Sequence, residues 1–127
     1  MTVRRSHFIL YVADQEPSRA FWAAVLLKTP SLHVPGMTEF TLGEGVVLGL
    51  MPEKGIARLL GGRIDPSLGR GGPRAELYLV VDDALAYHRR ALAAGAHELD
   101  PLSPRDWGHR VSYVLDPDGH VVAFAEV

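Results

Sequence analysis

Two short runs hold the side chains best suited to chemistry. His7-Phe-Ile-Leu-Tyr-Val-Ala-Asp14 and Glu76-Leu-Tyr-Leu-Val-Val-Asp-Asp83 align without a gap, so His7 falls opposite Glu76 and both runs end in aspartate. A histidine and a carboxylate at matching places in a duplicated sequence can share a charge-assisted hydrogen bond that holds the copies together. They can also act as general acid and base, or supply two donors to a divalent metal. Tyr11 and Tyr78 lie in the same runs, Glu39, Arg110 and Ser112 on later strands, and Trp107 in a loop next to Pro104 and Gly108. Aromatic rings with a few polar anchors are what a small organic ligand needs.

The elements that position these groups also come in pairs. Each run has strand alternation, Phe8, Leu10 and Val12 against His7, Ile9 and Tyr11, then Leu77, Leu79 and Val81 against Glu76, Tyr78 and Val80. The aliphatic set belongs under helices, and the set with His7, Tyr11, Glu76 and Tyr78 belongs on the open face. A helix follows each run: an apolar segment at Ala20 to Leu27 with Pro17 in its first turn, and Ala84 to Ala94, capped by Asp83 and closed by Gly95. Trp22 reads as core, and His88, Arg89 and Arg90 as a solvent face. A hairpin comes next in each copy, turning at Gly43 to Gly45 and at Asp116-Pro-Asp-Gly119, with short extra strands near Ser31 to Val34 and Glu98 to Leu102. A three-residue first turn sends Phe40, Leu48 and Leu50 inward and Glu39, Thr41 and Gly49 outward. A four-residue second turn pairs Ser112 with Ala123 and Arg110 with Ala125 on the open face.

Each copy is thus a β-α-β-β unit with room for a further strand. The expected organisation is a single domain over 1–127: module one at 1–51, a Gly- and Pro-rich linker at 52–75, and module two at 76–127. The linker arginines Arg58, Arg63, Arg70 and Arg74 read as solvated. The 127 residues carry 13 basic and 15 acidic side chains and no cysteine, which excludes disulfides, zinc-cysteine clusters and thiol nucleophiles. A net charge of -2 argues against nucleic-acid partners, and no apolar run reaches the roughly 20 residues of a membrane span. A cytoplasmic address is expected. No glycine-rich loop opens a helix after a strand, and no serine sits in a nucleophile elbow.

Several pieces together resemble the vicinal oxygen chelate superfamily, the glyoxalase, bleomycin-resistance and dioxygenase group. They are His7 opening a strand that ends in Val12-Ala13-Asp14, Phe21-Trp22, Trp107-Gly108-His109-Arg110, and Asp116-Pro-Asp-Gly-His120 before a final strand. The resemblance implies an α+β fold: two pseudo-symmetric β-α-β-β-β modules whose curved mixed sheet encloses a cleft, helices on the outer face, in a homodimer. It also implies metal positions at His7, Gly49, Glu76 and Ala123, of which two carry no donor. Glu39, across the hairpin from Gly49, is the nearest substitute, whereas Glu126 falls on the other face. The expected cofactor is therefore none, with a divalent metal on His7 and Glu76 as the alternative.

The expected function is metal-free binding of a small molecule, similar to antibiotic-binding members of the family, through Tyr11, Glu39, Tyr78, Trp107, Arg110 and Ser112, with His7 and Glu76 as candidate catalytic residues. The first alternative is a metal-dependent lyase or isomerase like glyoxalase I, or a dioxygenase, acting on vicinal oxygens. The second is a metal-free enzyme using His7 and Glu76 as acid and base.

Overall fold

The same strand order appears twice. In the computed structural model, which describes residues 2–127, β1 (Ser6–Val12), α1 (Gln15–Leu26), β2 (Leu32–Val34), β3 (Met37–Gly43) and β4 (Val46–Pro52) are followed by α2 (Glu53–Leu59). A 3-10 turn at Pro66–Gly69 leads to β5 (Glu76–Val80), α3 (Ala84–Ala93), β6 (His97–Pro104), β7 (Arg110–Leu115) and β8 (Val121–Glu126). The sheets run β1-β4-β3-β2 and β5-β8-β7-β6. In each, the first strand pairs in parallel with the last and the remaining pairs are antiparallel. This is the α+β, two-module architecture expected from the duplication.

Two compact units result. The first takes in the chain to Ala23 and Leu27–Gly69, and the second Ala24–Leu26 and Arg70–Val127. Among the described residues no helix is long and apolar enough to cross a membrane.

In the first unit the hairpin register is the expected one, with Phe40 opposite Leu48 and Glu39 opposite Gly49. Phe40, Leu48, Leu50 and Val12 are fully buried. Phe8 shares their face but lies on the edge strand, where it is 53% exposed. Gln15 opens α1 and ties it to the β2–β3 hairpin: its Nε2 donates to Val34 O at 2.8 Å and Thr38 Oγ1 at 2.9 Å, and its Oε1 accepts from Gly36 N at 2.9 Å. The helix starts earlier than the apolar segment suggests because these polar residues are fixed by the hairpin. It stops at Leu27, whose φ of 54° is left-handed, a conformation glycine adopts without strain.

In the second unit Asp83 caps α3 by accepting from Ala86 N at 3.1 Å, and Gly95, at φ 109°, closes it. His88 does not face solvent. It stands four residues after Ala84 and three before Ala91, the spacing of one helical face, and all three are buried where α3 covers β6, β7 and β8. Its Nε2 lies 2.7 Å from Glu98 Oε2. The linker also holds more structure than its composition suggests, namely α2 and the 3-10 turn.

Candidate functional site

The register of β5, β8 and β7 gives the second unit two different faces. Leu77 sits beside Val122 and Leu79 beside Phe124; Val122 and Phe124 pair with Val114 and Ser112. This face lies toward α3, where the Tyr87 ring contacts Phe124 at 5.7 Å. The opposite face carries Glu76, Tyr78, Val111, Tyr113, Ala123 and Ala125, because side chains alternate along a strand. Val111, Ala123 and Ala125 are fully buried there, with Tyr78 and Tyr113 packed against them. Small side chains on β8 leave room for the tyrosine rings to lie on the sheet.

Tyr78 is held at its oxygen. The Trp107 indole N–H donates to Tyr78 Oη at 2.9 Å, and His109 Nδ1 lies 2.7 Å from the same oxygen. Both partners come from the loop between β6 and β7, which is itself tightly tied. Arg105 N donates to His109 O at 2.8 Å, Gly108 N donates to Arg105 O at 3.1 Å, and Gly108 takes the positive φ of 94° that the turn requires. The Arg105 guanidinium donates to Asp100 Oδ2 and Val111 O, each at 2.7 Å, and lies 5.1 Å from the centre of the Tyr113 ring. Trp107 nevertheless remains 56% exposed. Its orientation is fixed by a hydrogen bond while its ring stays open to solvent. Burial pushes the Tyr113 phenol above its ordinary value; the Glu76 carboxylate adds to this and Arg105 opposes it.

In the first unit the open face starts from His7, whose row contains Val47 and Thr41; Ile9, Gly49 and Glu39 form the next row, and Tyr11 and Met51 follow. His7 Nδ1 lies 3.4 Å from Glu39 Oε2, with both side chains partly exposed. Gly49 makes this crossing narrow: a Cβ there would stand 3.1 Å from Ile9 Cγ1 and 3.4 Å from Met37 Sδ. A separate hollow is lined by Asp14, Gln15, Glu16, His33, Val34 and Pro35. Its polar groups are engaged with one another: His33 Nδ1 is 2.7 Å from Thr38 Oγ1, and His33 Nε2 is 3.4 Å from Glu16 Oε2. It therefore reads as the clamp between α1 and the hairpin.

Within either unit taken by itself, the grouped donors fall short of a divalent-metal site. The first unit brings together His7 and Glu39, while in the second Glu76 stands exposed opposite Val121 on the face that carries Tyr78 and Tyr113. Among the described residues no three His, Asp or Glu side chains are grouped to hold one ion. A catalytic zinc site needs three protein ligands, and harder ions need more oxygens.

Two expected ligand contacts lie elsewhere. Arg110 pairs across the ladder with Glu126, and Ser112 with Phe124, one residue off the expected register. The cause is the turn. Asp116 N donates to His120 O at 2.9 Å, so these residues close the hairpin around a three-residue loop, Pro117 to Gly119, with Gly119 at φ 88°. Arg110 consequently points to the side of Glu126, with Nη1 3.5 Å from Oε1, and the other Glu126 oxygen accepts from Ala84 N at 2.8 Å. Ser112 is fully buried on the α3 side, its hydroxyl without a hydrogen-bond partner. In their place stand His109 and Tyr113, which the sequence reading did not select. Spacing gave no metal signal for His109; its position next to Trp107 and Gly108 was the available clue.

A family model of the Glyoxalase/Bleomycin resistance protein/Dioxygenase superfamily matches residues 4–124. A glyoxalase-related enzyme from Fulvimarina pelagi is similar in fold, with a TM-score of 0.82 at 24% identity over 96% of this chain and 86% of its own. A glyoxalase/bleomycin resistance protein/dioxygenase family enzyme from Burkholderia phytofirmans PsJN gives 0.80 at 20% identity, covering 96% of this chain and 97% of that one. An uncharacterized protein of Mycobacterium bovis is 35% identical over 65 residues, 51% of this chain and 43% of its own length. A Mycobacterium tuberculosis relative matches equally, over 38% of its length. The chain thus spans less than half the length of these curated relatives.

Proposed function

The chain belongs to the glyoxalase/bleomycin resistance protein/dioxygenase superfamily, and from that premise we propose that it binds a small, flat organic molecule on the open face of its second unit without using a metal. The observation that carries this reading is Trp107, a large ring more than half exposed yet pinned through its N–H to Tyr78. An exposed indole gains nothing from core packing, while a fixed one offers a stacking surface at little further entropic cost. Tyr78 and Tyr113 extend the apolar area, and the exposed Glu76 carboxylate at the start of β5 supplies one charged anchor. On the first unit Tyr11 and the His7–Glu39 pair are further candidate contacts. A homodimer, implied by the resemblance, and a cytoplasmic location, the default expected from the sequence, belong to the same proposal.

The test is thermal unfolding of chelator-treated protein against a panel of flat aromatic compounds, beside elemental analysis after incubation with zinc, nickel, manganese and iron. A ligand at 100 times its Kd stabilises by about 2.7 kcal/mol, a shift that should persist in chelator and shrink in Trp107→Ala. Near-stoichiometric metal that is lost in His7→Ala would overturn the reading in favour of a metal-dependent lyase, isomerase or dioxygenase.

A further inference from the structure

We propose that Tyr78 and His109 form a proton-transfer couple that makes the second unit's open face a metal-free general base toward flat carbon acids. This rests on the binding reading above and adds chemistry to it. The Tyr78 oxygen accepts from Trp107 Nε1 at 2.9 Å and stands 2.7 Å from His109 Nδ1. Trp107 is an obligate donor, so it must occupy a lone pair of that oxygen. With neutral imidazole, the Tyr78 hydroxyl proton then points to Nδ1, and His109 carries its own proton on Nε2.

That arrangement allows a relay. Tyr78 oxygen takes a proton from a substrate C–H as its own hydroxyl proton moves to Nδ1, leaving an imidazolium that releases a proton to solvent. If the phenol proton moves first, the resulting phenolate is held by two donors, the indole N–H and the Nδ1–H. The electron pair of the broken C–H bond stays with the substrate, which is why the class is a carbon acid that can delocalise it. The surroundings suit this use. Val111, Ala123 and Ala125 beneath the tyrosines bring no competing donor or acceptor, and the indole ring beside the reacting oxygen supplies a surface on which a flat substrate can stack.

Neither role requires His109 to hold the fold together. Its backbone carbonyl closes the loop with Arg105, whereas its side chain is engaged with Tyr78 at the half-buried surface. Glu76 is the other base on this face, and the experiment must tell the two apart.

The probe is 5-nitrobenzisoxazole, a flat bicycle. Removing its ring C–H proton sends that electron pair into the C–N bond, which becomes a nitrile, while the N–O bond breaks and leaves its pair on a coloured nitrophenolate. Atoms balance and no co-reactant is needed. Binding is read by quenching of Trp107 fluorescence in a Trp22→Phe background, and turnover by phenolate absorbance. General acid-base groups contribute about 100-fold or more, so Tyr78→Phe and His109→Gln should each lower the rate by about 100-fold, with His109→Gln, which leaves the Trp107–Tyr78 bond in place, retaining the quench. Acceleration that survives in both variants but is lost in Glu76→Gln overturns the couple. Binding with no acceleration overturns it too, and leaves the binding reading standing. No quench at all removes the binding reading and this inference with it. Circular dichroism of each variant distinguishes loss of the base from loss of fold.

Discussion

Removing the Asp116 carboxylate should cost the second unit more than any other single polar change. The side chain is 1% exposed and accepts three times: from Asp118 N at 3.0 Å and His120 N at 2.8 Å through Oδ1, and through Oδ2 next to His120 Nδ1 at 2.8 Å. Bonds to a charged acceptor are worth roughly 1.5–3 kcal/mol each when deleted singly. They do not add, because the freed N–H groups at a hairpin tip can turn to water. Asp116→Ala should therefore cost about 2–4 kcal/mol. For a chain of this size each kcal/mol lowers Tm by about 4 °C, so a fall on the order of 8–16 °C is expected. Asp116→Asn keeps the Oδ1 bonds and should lose about half as much. The assay is urea and thermal unfolding followed by circular dichroism, with ligand binding measured in parallel, because the turn also sets which residues of β7 face Tyr78. A loss below about 0.5 kcal/mol would refute the reasoning. Gly119 and Pro117 alone would then set the register.

Other consequences are as direct. Leu27 ends α1 with a positive φ and is 70% exposed, so Leu27→Gly should stabilise by about 0.5–1 kcal/mol as strain is relieved; a lower Tm would show that the Leu27 side chain contributes packing. Ser112 is buried with an unpartnered hydroxyl, and Ser112→Ala should be neutral or stabilising in urea titrations; a loss above about 1 kcal/mol would mean that the hydroxyl has a partner. The raised Tyr113 pKa means that the folded state holds that phenolic proton more tightly than the unfolded chain does. This stabilisation is fully present below the ordinary value of 10.0 and is lost as pH rises through the folded value. Tyr113→Phe should flatten the alkaline fall in unfolding free energy, and Glu76→Gln should reduce it; an unchanged alkaline limb in Tyr113→Phe would contradict this. Gly49→Ala pushes against the flexible Met37 and against Ile9, whose β-branched side chain is stiff at χ1, and should cost about 1–3 kcal/mol by chemical denaturation; no measurable cost would show that the strand at the His7–Glu39 crossing gives way.

Much of this was legible in the residues. Period-two alternation in two aligned runs locates β1 and β5, and a four-residue first turn would bury the Glu39 carboxylate at high cost, which favours the observed pairing of Glu39 with Gly49. The second hairpin was not determined in this way, because Asp-Pro-Asp-Gly is compatible with either a three- or a four-residue loop. The choice is made by Asp116, whose side chain binds the backbone N–H of Asp118 within the loop and of His120 just after it; composition does not reveal that. The one-residue difference moved Arg110 and Ser112 off the face and brought Tyr113 onto it. His88 was misplaced by its charged neighbours, although its spacing from Ala84 and Ala91 held the answer. Trp107 was recognised from its loop and Tyr78 from its strand, but their meeting at one oxygen with His109 depends on the tertiary path of the β6–β7 loop, which no local pattern encodes.

A ligand is expected to occupy the exposed, pinned face of Trp107 without a metal. The chain has two tryptophans, and Trp22 is fully buried, so Trp22→Phe leaves Trp107 as the sole reporter. In chelator-treated protein, a compound that raises Tm should quench or shift Trp107 emission with the same Kd. A compound that stabilises the protein but leaves Trp107 unchanged, or binds only after metal is restored, would contradict the account.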